Sequence, residues 1–364
     1  MHLDEHDEPW NTPEEDAGRQ EPQERPDDER QEVPPLPPQA DAQWQPPNPA
    51  MQQINIAVSR VREELQKLII GQEEMLELLL AALFSGGHVL LEGVPGIAKT
   101  LTAKLMAQAM EVDFSRIQFT PDLMPSDVVG TTIFNMQQSS FTFNAGPVFS
   151  NVVLIDEINR APAKTQAALF EVMEEYQVTV DGQTYPMKLP FFVIATQNPI
   201  EQEGTYKLPE AQLDRFLVKI NLHYPSLEEE KLILRRFRSD FGMAQRSTVR
   251  PVFNAQEIQE CQALVQQVHI KDELLDYIAG IVHDTRNNGD LFLGASPRAS
   301  LAILKMSKAI AAIRGRDFVT PDDIQYVAYP VLNHRVMLTP EREMEGYTTR
   351  EVVQSIIQKI EVPR

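Results

Sequence analysis

The chain of 364 residues has a single cysteine, Cys261, so no disulfide can close within it and no cysteine-based zinc site is expected. Long apolar runs are missing as well. The longest are short and interrupted; Leu78 to Phe84, for instance, stops at Ser85-Gly86-Gly87, so no transmembrane helix and no membrane insertion are expected. The first residues are acidic and lead into no apolar stretch, which argues against a signal peptide. Positive charge is scarce: 33 Lys and Arg face 53 Asp and Glu, a net charge of −20. Such a field attracts nucleic acid poorly, and no direct nucleic-acid partner is expected. The seven histidines suggest no metal cluster, and no nucleophilic triad stands out. A cytoplasmic protein of one to three domains is the simplest account, its 42% hydrophobic content being ordinary for a globular chain.

What the chain does contain is organised around Gly93-Val94-Pro95-Gly96-Ile97-Ala98-Lys99-Thr100. The apolar run His88-Val89-Leu90-Leu91 precedes it, and Leu101 to Ala107 follows with helical spacing. Strand, glycine-rich turn and helix form the setting of a phosphate-binding loop. The glycines let the backbone approach a polyphosphate with its N–H groups pointing inward. Lys99 would meet the β- and γ-phosphates of ATP, and Thr100 would give its hydroxyl to Mg²⁺. The usual motif has glycine where Ala98 stands. Alanine disfavours positive φ, so this position is expected to keep a right-handed backbone.

Residues 1–50 hold 11 of the 27 prolines and a net charge of −11 by count, leaving −9 for the remainder. Such a segment buries too little apolar surface to offset its ordering entropy, and disorder is expected. Pro34-Pro35-Leu36-Pro37-Pro38 could serve as a polyproline ligand, but a solubilising spacer is the preferred reading. Helices are expected over 51–84, broken at Gly71. Strands are expected at 116–120, 152–155, 191–195 and 217–220. Pro121 to Gly130 reads as a loop with a short helix, Ser126 and Asp127 being candidate caps. Residues 131–147 read as a small β insertion, and Asp181-Gly182 as a type I′ hairpin turn. From Ser226 onward helical periodicity dominates, with starts at Ser296-Pro297 and Thr320-Pro321. The expected fold is therefore α/β over 51–225, a parallel sheet with helices on both faces, followed by an all-helical lid over 226–340 and a helical segment over 341–364.

Asp156-Glu157 closes the aliphatic run Val152 to Ile155, 57 residues after Lys99. Adjacent acids at a strand's carboxyl end would meet the phosphate loop at one sheet edge. Asp156 would then hold Mg²⁺, and Glu157 would act as general base on the attacking water. Asn198 follows the strand at 191–195, where an amide could orient that water, although Asn198-Pro199 also reads as a plain turn.

With these residues the chain resembles a MoxR-type AAA+ ATPase, in the same branch as the magnesium-chelatase ATPase subunit. The resemblance rests on residues 88–100, in a family that itself has alanine at the Ala98 position. It continues through Gly146-Pro147-Val148-Phe149, residues 154–166, 197–206 and 208–216, and Gly294 to Ala299. It implies Walker A roles for Lys99 and Thr100, with Gly93, Val94, Pro95, Gly96, Ile97, Ala98 and Leu101 around the nucleotide. It implies Walker B roles for Asp156 and Glu157, and a sensor-1 role for Asn198. Arg298 matches the sensor-2 arginine, which reaches the γ-phosphate of its own subunit, and Arg215 matches the finger that acts on the neighbouring subunit's nucleotide. Gly71 falls where the family lines its adenine pocket. Residues 122–147 match the helix-2 insertion and 177–190 the pre-sensor-1 hairpin. A hexameric ring, a von Willebrand A-domain partner and a protein client follow by the same likeness. On the residues alone, Arg215 could equally pair with Asp214, and Arg298 could be a solvated first-turn residue. Arg160 could face a subunit interface or plain solvent, and His334-Arg335 is a further suggestive pair.

Three other functions share parts of this machinery. A chelatase-like metal-insertion motor uses the same core. A nucleic-acid motor would show salt-dependent DNA binding that stimulates turnover. An ATP-bound scaffold would need no intact general base, so Glu157 speaks against it.

Overall fold

The computed structural model describes residues 49–94, 96–137, 139–198, 205–206, 208–238 and 249–363. The acidic tail with its polyproline run, and Pro95 of the glycine-rich loop, lie outside the described residues.

The chain enters through α1 (Pro49–Gln66) and α2 (Glu73–Phe84). Met51, Ile54, Val58, Val61 and Leu65 recur at threes and fours along α1, and all five are buried. An alternating stretch follows: β1 (Val89–Glu92), α3 (Lys99–Ala109), β2 (Phe114–Gln118) and α4 (Pro125–Val129). A hairpin of β3 (Gly130–Asn135) and β4 (Ser140–Ala145) comes next, then β5 (Val152–Asp156) and α5 (Ala163–Glu175). A second hairpin, β6 (Gln177–Val180) and β7 (Gln183–Pro186), leads to β8 (Phe192–Gln197), α6 (Glu210–Leu213) and β9 (Val218–Asn221). The remainder is α7 (Leu227–Arg236), α8 (Ala255–Gln266), α9 (Asp272–Arg286), β10 (Leu291–Leu293), α10 (Pro297–Ile313), α11 (Pro321–Leu332), β11 (Met337–Leu338), α12 (Pro340–Met344) and α13 (Thr349–Lys359).

Strands β2, β5, β8, β1 and β9 lie side by side in that order, and every pairing is parallel. Alternate residues of the central strands serve opposite faces. Val152, Leu154, Phe192 and Ile194 enter one apolar core, while Val153, Ile155, Val193 and Ala195 enter the other. Both faces are covered, which is why these strands are continuously apolar rather than alternating. The larger core also takes in α1, α2 and residues of α8, α9, α10, α11 and α13, so the lid helices and the sheet share one apolar interior.

Two local expectations are corrected. The helical lid includes a short antiparallel pair, β10 with β11, too brief for a period-two pattern to register. Of the two candidate caps of α4, Asp127 takes part, its carboxylate accepting from the Met124 N–H at 2.8 Å, whereas Ser126 does not serve as the N-cap. The Asp181-Gly182 turn has positive φ at both positions, 51° and 79°, as a type I′ turn requires.

One polar group inside this interior sets a pH response. His88, buried just before β1, accepts from the Val193 N–H at Nδ1 (3.1 Å) and donates from Nε2 to the Met173 carbonyl (3.1 Å). The acceptor role of Nδ1 fixes the neutral tautomer. Burial pushes its pKa down to about 4. The unfolded chain would bind the proton near pH 6.5 and the folded chain would not, so stability falls as pH drops from about 6.5 toward 4. His88 contributes on the order of 3 kcal/mol to that loss. Urea unfolding at pH 7 and pH 4.5 is expected to show a clearly smaller acid loss for His88→Gln than for wild type. Equal losses would rule out this assignment.

Candidate active site

Because the strands are parallel, their carboxyl ends reach one edge of the sheet, where ligands bind in open α/β folds. There β1 leads into the glycine-rich loop, β5 ends at Asp156, β8 leads to Asn198, and Gln118 of β2 pairs in register with Asp156. A cavity of about 440 Å³ opens at this edge. Gly96, Ala98, Lys99, Thr100 and Leu101 line it together with Asp156, Glu157 and Asn198.

The loop's shape follows from a few positions. Gly96 has φ +89°, which L side chains rarely adopt. Gly93 is required by space, since a Cβ there would come within 3.0 Å of the Leu222 carbonyl oxygen. The expectation for Ala98 is overturned: its φ of 60° and ψ of 17° are left-handed. An alanine in this region costs roughly 1–2 kcal/mol. It is held there as the N-cap of α3, its carbonyl accepting from the Thr102 N–H (2.9 Å) and hydroxyl (3.0 Å). Ile97 is buried, and Val94 and Leu101 pack against the larger core. Lys99 and Thr100 open α3, and the Lys99 ammonium donates to the Gly93 carbonyl at 2.7 Å.

The two acids sit in different surroundings. Asp156 is buried; its Oδ1 accepts from the Thr196 hydroxyl (3.0 Å), and its Oδ2 from Arg116 Nε (2.7 Å) and the Thr100 hydroxyl (3.3 Å). The Thr196 hydroxyl also accepts from the Glu157 N–H at 3.0 Å, so one side chain positions both acids. Glu157 is left-handed, with φ 57°, and its Oε2 takes Gln118 Nε2 and Arg160 Nε, each at 2.9 Å. A non-glycine residue in this region carries strain of about 1–3 kcal/mol. Thr100 and Asp156 supply adjacent hard oxygens, one carboxylate and one hydroxyl, beside a loop shaped for phosphates. That set suits Mg²⁺, which binds through one or two carboxylates together with substrate phosphates. Among the described residues no group of three or more His, Cys, Asp or Glu could hold a metal alone.

Arg116, Gln118 and Thr196 were not foreseen as site residues. Their strands were legible in the sequence, but their places beside the acids depend on the register between β2, β5 and β8.

The two arginines converge elsewhere. Arg215 donates to the Phe170 carbonyl (3.0 Å) and pairs with Glu174; Arg298 reaches the same carboxylate at 3.0 Å. Both line a cavity of about 230 Å³ with Met173 and Asp214. The alternative of an Arg215–Asp214 pair is therefore not what forms. Asp214 bonds Arg335 instead, Nε to Oδ1 at 2.7 Å. Nor does Arg298 line the P-loop cavity of its own chain, where a sensor-2 arginine is expected. The Ser296 hydroxyl bonds Asp214 Oδ2 at 3.0 Å, tying the start of α10 beside Arg215. Arg160 is engaged with Glu157, and His334 and Arg335 are buried.

A further cavity of about 220 Å³ is lined by Gln72, Met75, Leu78, Ile220, Leu222 and Tyr224. Gln72, next to Gly71, donates to the Ile97 carbonyl of the loop at 3.5 Å. The side-chain oxygens of Gln72 and Asn221 are buried there without a hydrogen-bond partner.

Residues 88–218 match the "ATPase family associated with various cellular activities (AAA)", and residues 283–356 match the AAA lid domain. The chain is 46% identical over 301 residues to the Bacillus subtilis protein YeaC, covering 83% of this chain and 93% of that one. It is 43% identical over 310 residues to Chaperone MoxR1 of Mycobacterium tuberculosis, covering 83% and 81%. A crystal structure of a Cytophaga hutchinsonii protein superposes with a TM-score of 0.80 at 43% identity, over 87% of this chain and 98% of that one.

Proposed function

Because this chain belongs to the MoxR family of AAA+ ATPases, we propose that it hydrolyses ATP with Mg²⁺ in a ring of like subunits and spends that energy on remodelling protein clients. The observation that carries this reading is the convergence of Lys99, Thr100, Asp156, Glu157 and Asn198 on one cavity at the carboxyl edge of the sheet.

The roles follow from charge and reach. Lys99 leaves the Gly93 carbonyl for the β- and γ-phosphates, and the loop N–H groups take the remaining phosphate oxygens. Thr100 and Asp156 would hold Mg²⁺, which would supply positive charge beside the γ-phosphate. Glu157 takes the proton of the attacking water, and Asn198 orients that water. Arg215 serves a neighbouring subunit's nucleotide, a reading supported by its lining a different cavity from Lys99. Arg298 shares Glu174 with it and belongs to the same set. The cavity beside Gln72, where Met75, Leu78 and Ile220 meet Lys219, Asn221 and Arg350, takes the base.

The client is protein rather than nucleic acid. Residues 130–145 carry no charged side chain, and Ile133, Phe134, Met136 and Phe141 of that hairpin are exposed. Phe143 stacks on Tyr185 with centroids 4.1 Å apart, which joins the two hairpins into one surface. A von Willebrand A-domain partner, a six-membered ring and a cytoplasmic location complete the proposal; no helix among the described residues is long and apolar enough to cross a membrane.

The test is Mg²⁺-ATP turnover per subunit as a function of protein concentration, with sizing of each sample. A steep rise together with assembly is expected. Full turnover by a monomer would refute shared sites. Nucleotide binding with no hydrolysis at any concentration would favour a scaffold.

A further inference from the structure

Arg335 follows α11, and its side chain is 3% exposed. All five of its N–H groups are used. Nε donates to Asp214 Oδ1 (2.7 Å), Nη1 to the carbonyls of Val331 (2.6 Å) and Leu217 (3.1 Å), and Nη2 to those of Phe216 (2.7 Å) and Asp214 (3.1 Å). Four of these five acceptor oxygens, on Asp214, Phe216 and Leu217, belong to the segment that carries Arg215. Asp214 Oδ2 in turn accepts from Ser296, which caps α10 two residues before Arg298. One carboxylate thus ties the end of α11, the start of α10 and the Arg215 segment together.

Stability alone gives little reason for this arrangement. A buried ion pair recovers its desolvation cost only with excellent geometry, and apolar replacements are often as stable. What the planar fork supplies is direction, fixing several backbone carbonyls at once in a way a lysine ammonium does not.

We propose that Arg335 is a positioning residue for the arginine finger: through Asp214 it holds Arg215 at the subunit edge, so that the lid's placement sets the finger offered to the neighbouring nucleotide. The proposal rests on the reading of Arg215 as a finger acting between subunits. Displacing a charge by about 1 Å costs on the order of 10²-fold in rate. Arg335→Met is therefore expected to lower turnover by about 10²-fold while leaving the subunit's own nucleotide affinity within about twofold of wild type.

The decisive experiment pairs this variant with Glu157→Gln in rings co-expressed with two tags and purified through both. A Glu157→Gln subunit has an intact finger, and an Arg335→Met subunit has an intact P-loop site. Mixed rings are expected to turn over at least about tenfold faster than rings of either variant. A role in folding or in the subunit's own site would give no such rescue. Arg215→Ala mixed with Glu157→Gln is the reference. Rescue of the reference without rescue of Arg335→Met overturns the proposal, as does wild-type turnover by Arg335→Met alone. If the reference pair also fails, the finger reading falls and the proposal with it. Asp214→Asn, which keeps the shape but removes the partner charge, is carried in parallel and is expected to give the same pattern should Arg335→Met fail to fold.

Discussion

Arg215→Ala is expected to lower Mg²⁺-ATP turnover by roughly 10³–10⁵-fold in assembled rings, the range an arginine finger supplies. Nucleotide affinity should stay near wild type, because Lys99, Thr100 and Asp156 occupy another cavity from Arg215. The fold should also hold. Arg215 is partly exposed, and Glu174 keeps its bond to Arg298 after Arg215 is removed. Fluorescent-nucleotide binding and phosphate release on one preparation separate the two effects. A variant that assembles and retains full turnover would end the assignment; one that loses affinity and turnover together would place Arg215 in nucleotide binding instead.

The parts of the fold that were legible in the sequence depend on signals local to a segment. The buried strands are continuous aliphatic runs because helices cover both faces of the sheet, and Val152 to Ile155 could hardly be read otherwise. Ser296 caps α10 through its hydroxyl, and the Thr320 N–H and hydroxyl both donate to Asp323 at the start of α11. The P-loop and the Asp156-Glu157 pair were legible for the same reason, since the motif carries its chemistry within a few positions. Ala98 shows where composition misleads. Its intrinsic preference argues against a left-handed backbone, but the start of α3 over-determines that residue and outweighs roughly 1–2 kcal/mol of strain.

Partners far apart in the chain were not legible. Asp214 lies beside Arg215 in sequence but bonds Arg335, 121 positions on, because the end of α11 packs against β9. Arg116 and Thr196 reach Asp156 only through strand register. The Ser296–Asp214 bond, which sets the start of α10 beside Arg215, likewise joins residues 82 positions apart. Every nucleotide-contacting candidate was named from a short motif, while the groups that orient those candidates come from other strands and helices. The division is physical: a loop that grips phosphate is built from consecutive residues, whereas aiming a carboxylate or a guanidinium takes neighbours fixed by tertiary packing.

Glu157→Gln tests the chemistry itself. The amide keeps the size of the side chain and its acceptor oxygen for Gln118 and Arg160, but it cannot take a proton from water. General-base catalysis contributes typically 10²–10⁴-fold, and a loss of that size in turnover is expected. Affinity for ATP should be unchanged or higher, since Lys99, Thr100 and Asp156 are untouched and one negative charge leaves the cavity. In the folded chain Glu157 is held by Gln118 and Arg160 at 2.9 Å each, so the carboxylate must leave at least one of them to reach a water near the γ-phosphate. A pre-steady-state measurement places the lesion. With ATP and limiting Mg²⁺, the variant should bind nucleotide at the wild-type rate and then release phosphate slowly, with no burst. Turnover within a few-fold of wild type would remove Glu157 from the proton-transfer step and leave Asn198 as the polar group to examine as the water's partner.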